Sequence, residues 1–198
     1  MLIKEANKII ISLSNPDKMP GFAYGLPAWE CKTGGKLAKV PGSVCFGCYA
    51  MKGNYTRFPE IKKSQYKRLK SLKNPQWVEA MAAVINSKRV SKLKVFRWHD
   101  AGDIQSAKHL TNIFEVCNQT PATSHWLPTR EAKFLKFIDP DIIPANLIIR
   151  LSGHMVDGKN ATWWPWTSSV STKSKSCPAK DQGNKCLDCR SCWNRKVS

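Results

Sequence analysis

The stretch KVFRWHDAGD, residues 94–103, decides the fold. Val95, Phe96 and Trp98 make a short run of strand-forming residues, and the run ends in a polar turn, His-Asp-Ala-Gly-Asp. The next segment, IQSAKHLTNIFEVCN (104–118), has a helical period: Ile104, Ala107, Ile113, Phe114 and Cys117 share one side, and Asp103 stands where an N-cap would. The pattern then repeats. TSHWLPTR (123–130) reads as a strand, EAKFLKFI (131–138) as a short helix, NLIIRLSG (146–153) as a strand and WPWTSSVST (164–172) as a last strand. Strands alternating with helices predict βαβ units, hence an α/β fold with a parallel sheet.

Upstream, two helices are expected. One is basic, over 59–73, with Pro59 near its start. The other begins at NPQWVEAMAAVINSKR, with Asn74 as N-cap, Pro75 as first helical residue, and Trp77, Val78, Met81, Val84 and Ile85 as a core stripe. Residues 15–45 are rich in proline and glycine and read as loop. A chain of 198 residues without an internal repeat suits a single domain: a loop-rich segment at 1–58, an α/β core at 59–172 and a tail at 173–198. No stretch of about 18 apolar residues occurs, and the N-terminus lacks the features of a leader, so a cytoplasmic protein with no membrane partner is expected.

Thirty-two lysines and arginines face fourteen acidic residues, a formal charge of +18. The excess recurs along the chain, in IKKSQYKRLKSLK (61–73), SKRVSKLK (87–94) and STKSKSCPAK (171–180). Any one run reads as a solvated helix face; together they point to a polyanion, with nucleic acid ahead of lipid. Three tryptophans close together in TWWPWTSS (Trp163, Trp164, Trp166) add rings on which bases would stack.

In parallel α/β folds, ligands bind where the loops converge at the carboxyl ends of the strands. Those ends carry His99, Asp100 and Asp103; Thr129 and Arg130; Arg150, Ser152 and His154; and Thr167, Ser168 and Ser169. Each alone is explained as a cap or surface group, as Asp103 is by its helix. Four ends in succession suggest the lining of one pocket.

The eight cysteines divide into three, four and one. Cys117 lies on an apolar helical face and reads as core. Cys177, Cys186, Cys189 and Cys192, spaced C-x8-C-x2-C-x2-C, supply the four thiolates of a closed site for zinc or an iron–sulfur cluster, with the tight half favouring the cluster. Cys31, Cys45 and Cys48 supply three, which leaves a coordination position open. Two closed alternatives remain: a zinc site shared between the sets, or His99 as fourth ligand.

The segments LPAWECKTG, PGSVCFGCYAMKGNY, FRWHDAGDIQ, LPTR, IIRLSGH and CPAKDQGNKCLDCRSCW resemble the phage-encoded gene product 88 family, from about residue 26 onward, with CYAMKG the most specific motif. A weaker similarity is to the radical S-adenosylmethionine enzymes, whose C-x3-C-x2-C loop precedes a partial barrel; here thirteen residues separate Cys31 from Cys45. That resemblance implies a partial, half-open parallel β/α barrel with a Cys-rich N-terminal loop and a Cys-rich, metal-binding tail. Cys31, Cys45 and Cys48 would hold a [4Fe-4S] cluster whose open iron takes S-adenosylmethionine, and the tail would hold a second cluster or zinc. His99, Asp100, Arg130 and Arg150 would form the catalytic set, the arginines on a carboxylate or phosphate and the other two on ribose or a substrate hydroxyl. Tyr49, Lys52, Asp103, Ser152 and Ser168 would bind the cofactor. The expected function is an iron–sulfur enzyme acting on nucleic acid or a nucleotide; the alternative is a non-catalytic, zinc- or cluster-stapled nucleic-acid-binding phage protein of the host cytoplasm.

Overall fold

A computed structural model describes residues 1–173 and 176–197. Ser174 and Lys175 of the tail's basic run, and Ser198, lie outside the described residues. Five strands form one open sheet: β1 (Phe22–Tyr24), β2 (Val95–Trp98), β3 (Ser124–Thr129), β4 (Leu147–Ser152) and β5 (Thr167–Ser168). They lie in chain order, and every neighbouring pair is parallel. Seven helices accompany them among the described residues: α1 (Ile3–Ile10), α2 (Lys32–Leu37), α3 (Asn54–Arg57), α4 (Pro59–Ser71), α5 (Trp77–Ile85), α6 (Lys88–Ser91) and α7 (Ala107–Asn118).

The strand pattern has two faces because side chains alternate. Register puts Phe22 beside Phe96 and His125, and Tyr24 beside Trp98. With Leu127, Leu147, Ile149 and Leu151 they meet α1, α5 and α7 in one apolar core. The opposite face presents Ala23, Arg97 and Trp126 in one row and Ile148, Arg150 and Ser152 along β4. Since right-handed crossovers between strands added in one direction send every helix to the same side, this second face is left for something other than helices. The tail covers it. Trp193 packs edge-on against Trp126 and donates its indole N–H to the carbonyl of Phe96 at 2.9 Å. Arg150 donates to the carbonyls of Ser191, Cys192, Asn194 and Val197, and to that of Thr167.

Several sequence expectations shift. The loop-rich N-terminal segment contains α1, β1 and α2. The helix expected at Pro75 begins at Trp77, and Asn74 instead accepts the amide of Gln76 in the preceding turn. Asp103 is not the cap of α7: Ser106 is, accepting the His109 amide at 3.1 Å, and Ala107 faces solvent. The helix expected at 131–138 is a single 3-10 turn, Ala132–Phe134. Of the clustered tryptophans, Trp164 is buried and bonds the Ile149 carbonyl, Trp166 is half-buried under Arg195, and Trp163 remains exposed. Cys117 lies in the core as expected.

Candidate functional site

The N-terminal loop is tied down at three strand ends. At β3, buried Glu131 caps α2: one carboxylate oxygen accepts the amides of Lys32 and Thr33 at 3.0 and 2.8 Å, and the other accepts the Thr33 hydroxyl. Cys31 immediately precedes that helix, so Glu131 fixes its position. At β4, Val44 donates to the carbonyl of His154, and Ser43 pairs with Met155 as an isolated antiparallel bridge. At β2, the Tyr49 hydroxyl donates to the carbonyl of Asp100. Cys45 and Cys48 stand on a tight turn closed by the Cys48 amide on the Cys45 carbonyl at 3.0 Å, with Gly47 at φ 68° in the position that requires it. The three thiols therefore converge on the carboxyl ends of β2 and β3.

Their electrostatics are consistent with that placement. Burial raises the Cys31 thiol pKa, and Asp103, Cys48, Cys45 and Glu131 raise it further. Burial also raises Cys45, with Arg130 opposing. Gly34 lies in the gap between two of the sulfurs: a Cβ there would stand 3.5 Å from the sulfur of Cys45 and 3.8 Å from that of Cys31. No three Cys, His, Asp or Glu side chains among the described residues converge tightly enough to hold a single ion. A zinc ion would draw its sulfurs to about 2.3 Å from itself. The three thiols thus lie near one another without meeting at one point.

Near them lie buried polar atoms with no protein partner among the described residues: Oδ1 of Asp100, Nε of Arg97 and Nε of Arg130. Orphaned buried donors and acceptors are costly, so such a set marks where a ligand or water belongs. Asp100 is raised by desolvation, opposed by Arg97 and Arg68, and its Oδ1 lies so close to Gly25 that a Cβ there would come within 2.3 Å. Asp103 accepts from the Thr129 hydroxyl and the amides of Arg130 and Ile104 at 2.6, 2.9 and 2.7 Å. Burial nevertheless raises its pKa to about 6. Its role is to lock the β2 loop onto the end of β3.

The remaining expected residues scatter. His99 has positive φ (55°), stacks edge-on against His109 at 5.3 Å, and has neither ring nitrogen bonded; burial, His109 and Arg97 hold its pKa well below the ordinary value. Its ring lies against α7. Arg150 is turned to the tail carbonyls. Ser152 and Ser168 share a hydrogen bond of 3.1 Å beside a cavity of about 320 Å³ at the end of β4, lined also by His154, Lys159, Asn160 and Trp163. Lys52 is exposed.

The tail thiols form a separate neighbourhood. Cys189 closes a turn on the Cys186 carbonyl at 2.9 Å. Burial raises Cys186, with Cys177 and Cys189 adding, and it raises Cys192 to about 11, with Cys186 and Cys177 adding. A hydrogen bond with Ser191 lowers Cys189. The thiols that raise Cys31 and Cys45 belong to the loop set, and those that raise Cys186 and Cys192 belong to the tail set. Arg97 is the side chain felt by both neighbourhoods, by Tyr49 and Asp100 on one side and by Cys186 and Cys192 on the other. Neither Arg97 nor Glu131 was singled out from sequence, although a charge inside the apolar run VFRW and an acid directly after a strand end are both visible there.

No helix among the described residues is long and apolar enough to cross a membrane. No curated protein and no solved structure matches the chain. A family model does match it, over residues 1–195, and the chain belongs to the phage Gene product 88 family.

Proposed function

We propose that this protein is an iron–sulfur enzyme of the radical S-adenosylmethionine type, acting on nucleic acid or a nucleotide in the host cytoplasm. The observation that carries the reading is three thiols on one loop, tied to the carboxyl ends of two adjacent parallel strands. Parallel strands in chain order are the order of a β/α barrel, and the five-stranded sheet is read as a part of one that stays open. Three cysteine thiols are the donor type that a cubane cluster takes. Such a cluster, held by Cys31, Cys45 and Cys48, would supply reductive radical chemistry together with S-adenosylmethionine.

The chain's own residues do the rest. Cys31, Cys45 and Cys48 hold the centre, and Glu131 keeps Cys31 in place through α2. Arg130, with its Nε free, is suited to a carboxylate or phosphate. Asp100, whose Oδ1 has no partner, is suited to a hydroxyl donor. Asp103 orients Arg130 through its amide. The tail cysteines hold a second centre, cluster or zinc, against the back of the sheet. A polyanionic partner is supported by charge: among the described residues only two ion pairs form, and only Lys63–Glu60 uses a lysine side chain. The cationic surface is otherwise left uncompensated.

Iron, acid-labile sulfide and zinc are measured on protein purified without oxygen, for the wild type and for Cys48→Ala and Cys189→Ala. Four or eight irons with matching sulfide are expected, as one or two cubanes each carry four. Cys48→Ala should lose about four irons and remain folded, whereas Cys189→Ala should chiefly lose stability. Zinc without iron would discard the radical reading in favour of a zinc-stapled nucleic-acid binder.

A further inference from the structure

A second cavity lies on the helical side of the molecule. It is a groove of about 1240 Å³ between the end of α4, the start of α5 and the first turns of α7. One wall is a single face of α4. Lys62, Tyr66, Lys70 and Lys73 follow one another at spacings of four, four and three, which places them in a stripe along the helix and just beyond it. Lys62 lies over the ring of Trp29 at 4.5 Å, so the stripe alternates aromatic and basic groups from Trp29 to Lys70, with Lys73 just beyond. The facing wall is the amino end of α7, with Ser106, Lys108, His109 and Asn112. His109 is buried there, accepts the Gln105 amide at Nδ1, and has no partner at Nε2. Glu115 is the only acid in the lining, and it is engaged by Gln119. None of Lys62, Lys70, Lys73 and Lys108 forms an ion pair among the described residues.

The groove also has a direction. At the Lys62 end, Tyr66 donates to Glu30, Gln105 donates to the Glu30 carbonyl, and the Lys32 ammonium donates to the Gln105 carbonyl. Glu30 and Lys32 flank Cys31. One end of the groove therefore abuts the loop that carries the thiols.

We propose that this groove seats a single strand of nucleic acid, its phosphates on Lys70, Lys73 and Lys108 and a base on Tyr66, running toward the Cys31 loop. The inference rests on the nucleic-acid partner proposed above and gives it a place. Unpaired lysines facing a helix amino terminus complement a phosphodiester backbone, and the exposed ring of Tyr66 between them accepts a base without regard to sequence. An acidic peptide would use the lysines and leave the rings idle.

The test uses the full chain and a fluorescent 20-nucleotide oligothymidylate, with affinity read by anisotropy across a salt series. Lys70→Gln/Lys73→Gln/Lys108→Gln should weaken binding about tenfold or more and reduce the slope of log K against log salt by about 2, the share of three contacts on a single strand. Tyr66→Ala should weaken binding about tenfold at every salt concentration, and Tyr66→Phe should not. The control is Lys88→Gln/Lys92→Gln/Lys94→Gln, on exposed lysines at the amino end of β2, and it should change affinity little. Melting curves must match the wild type in each case. Equal losses in the two triple variants would overturn the groove while leaving a nucleic-acid partner in place. Polyglutamate competing as well as the oligonucleotide would overturn it in favour of a general anion patch. Failure of the wild type to bind any strand would overturn both the groove and the partner.

Discussion

Two side chains show how single residues hold the site together. Glu131 supplies acceptors for the first two amides of α2, groups that a six-residue helix cannot satisfy internally. Glu131→Ala should cost about 1–3 kcal/mol, the range for a cap or a buried donor left unpaired. Hydrogen exchange at the Lys32 and Thr33 amides should quicken while that of the β4 amides stays slow; uniform protection would show that α2 does not depend on Glu131. Gly25 is chosen for space. Any side chain there must displace the Asp100 carboxylate, so Gly25→Ala should destabilise the fold by about 1–3 kcal/mol in urea. Stability equal to wild type would mean that Asp100 moves aside freely.

At the scale of elements, the shift of the α7 cap from Asp103 to Ser106 is instructive. Both residues belong to capping types, and both lie before the same apolar periodicity. Asp103 is taken by β3, through Thr129 and Arg130, and is no longer free to cap. Ser106→Ala should then cost about 1 kcal/mol and fray α7, as lost caps do. Circular dichroism and denaturation would check it, and an unchanged midpoint would return the cap to another group. The tail is the second case. It contains no α-helix or strand among the described residues and is held by side chains reaching across from the sheet and back. Arg150 donates to four tail carbonyls, so Arg150→Ala should release the tail and cost about 2–4 kcal/mol. Limited trypsin digestion should then cut at Lys185 and Arg190 well before the wild type does; the same cleavage rate in both would place the tail's anchor elsewhere.

The whole molecule carries a pH dependence set by buried imidazoles. Burial lowers His109 and His125 to about 3, and it lowers His99 well below its ordinary value of 6.5, with His109 and Arg97 adding. All three are neutral when folded, while the unfolded chain binds protons on them below about pH 6.5. Stability should therefore fall as pH drops from 6.5 toward 3, by up to about 1.4 kcal/mol per pH unit for each imidazole. Asp103 acts in the opposite sense. Its folded pKa of about 6 stands above the ordinary 3.8, so the stability it contributes is complete below 3.8 and lost as pH rises through 6. Asp100, also raised by burial, acts with Asp103; three imidazoles outweigh two carboxylates, and the net effect is acid lability. His125→Gln preserves a donor toward Thr120 and should remove close to one proton from the slope of urea stability against pH between 4 and 6. A slope identical to wild type would mean that His125 titrates normally in the folded protein.

The class of fold was legible in the sequence because it depends on local period. Alternating β-run and helical repeat from 94 to 172 suffice for a parallel α/β sheet, and the stripe Trp77, Met81, Val84, Ile85 is buried as its spacing requires. The division of the cysteines and the excess of basic charge were equally visible, since both are matters of count and spacing. β1 escaped notice because FAY is three residues long between glycines, too short to show a period, and its neighbour β2 is some seventy residues away in sequence. What tertiary structure alone decided was which groups meet. Glu131 reaches an amide 99 residues back, Arg150 reaches a carbonyl 47 residues ahead, and Asp103 exchanges a helix for a strand. Those pairings depend on the packing of distant segments against one sheet, and no spacing along the chain encodes that.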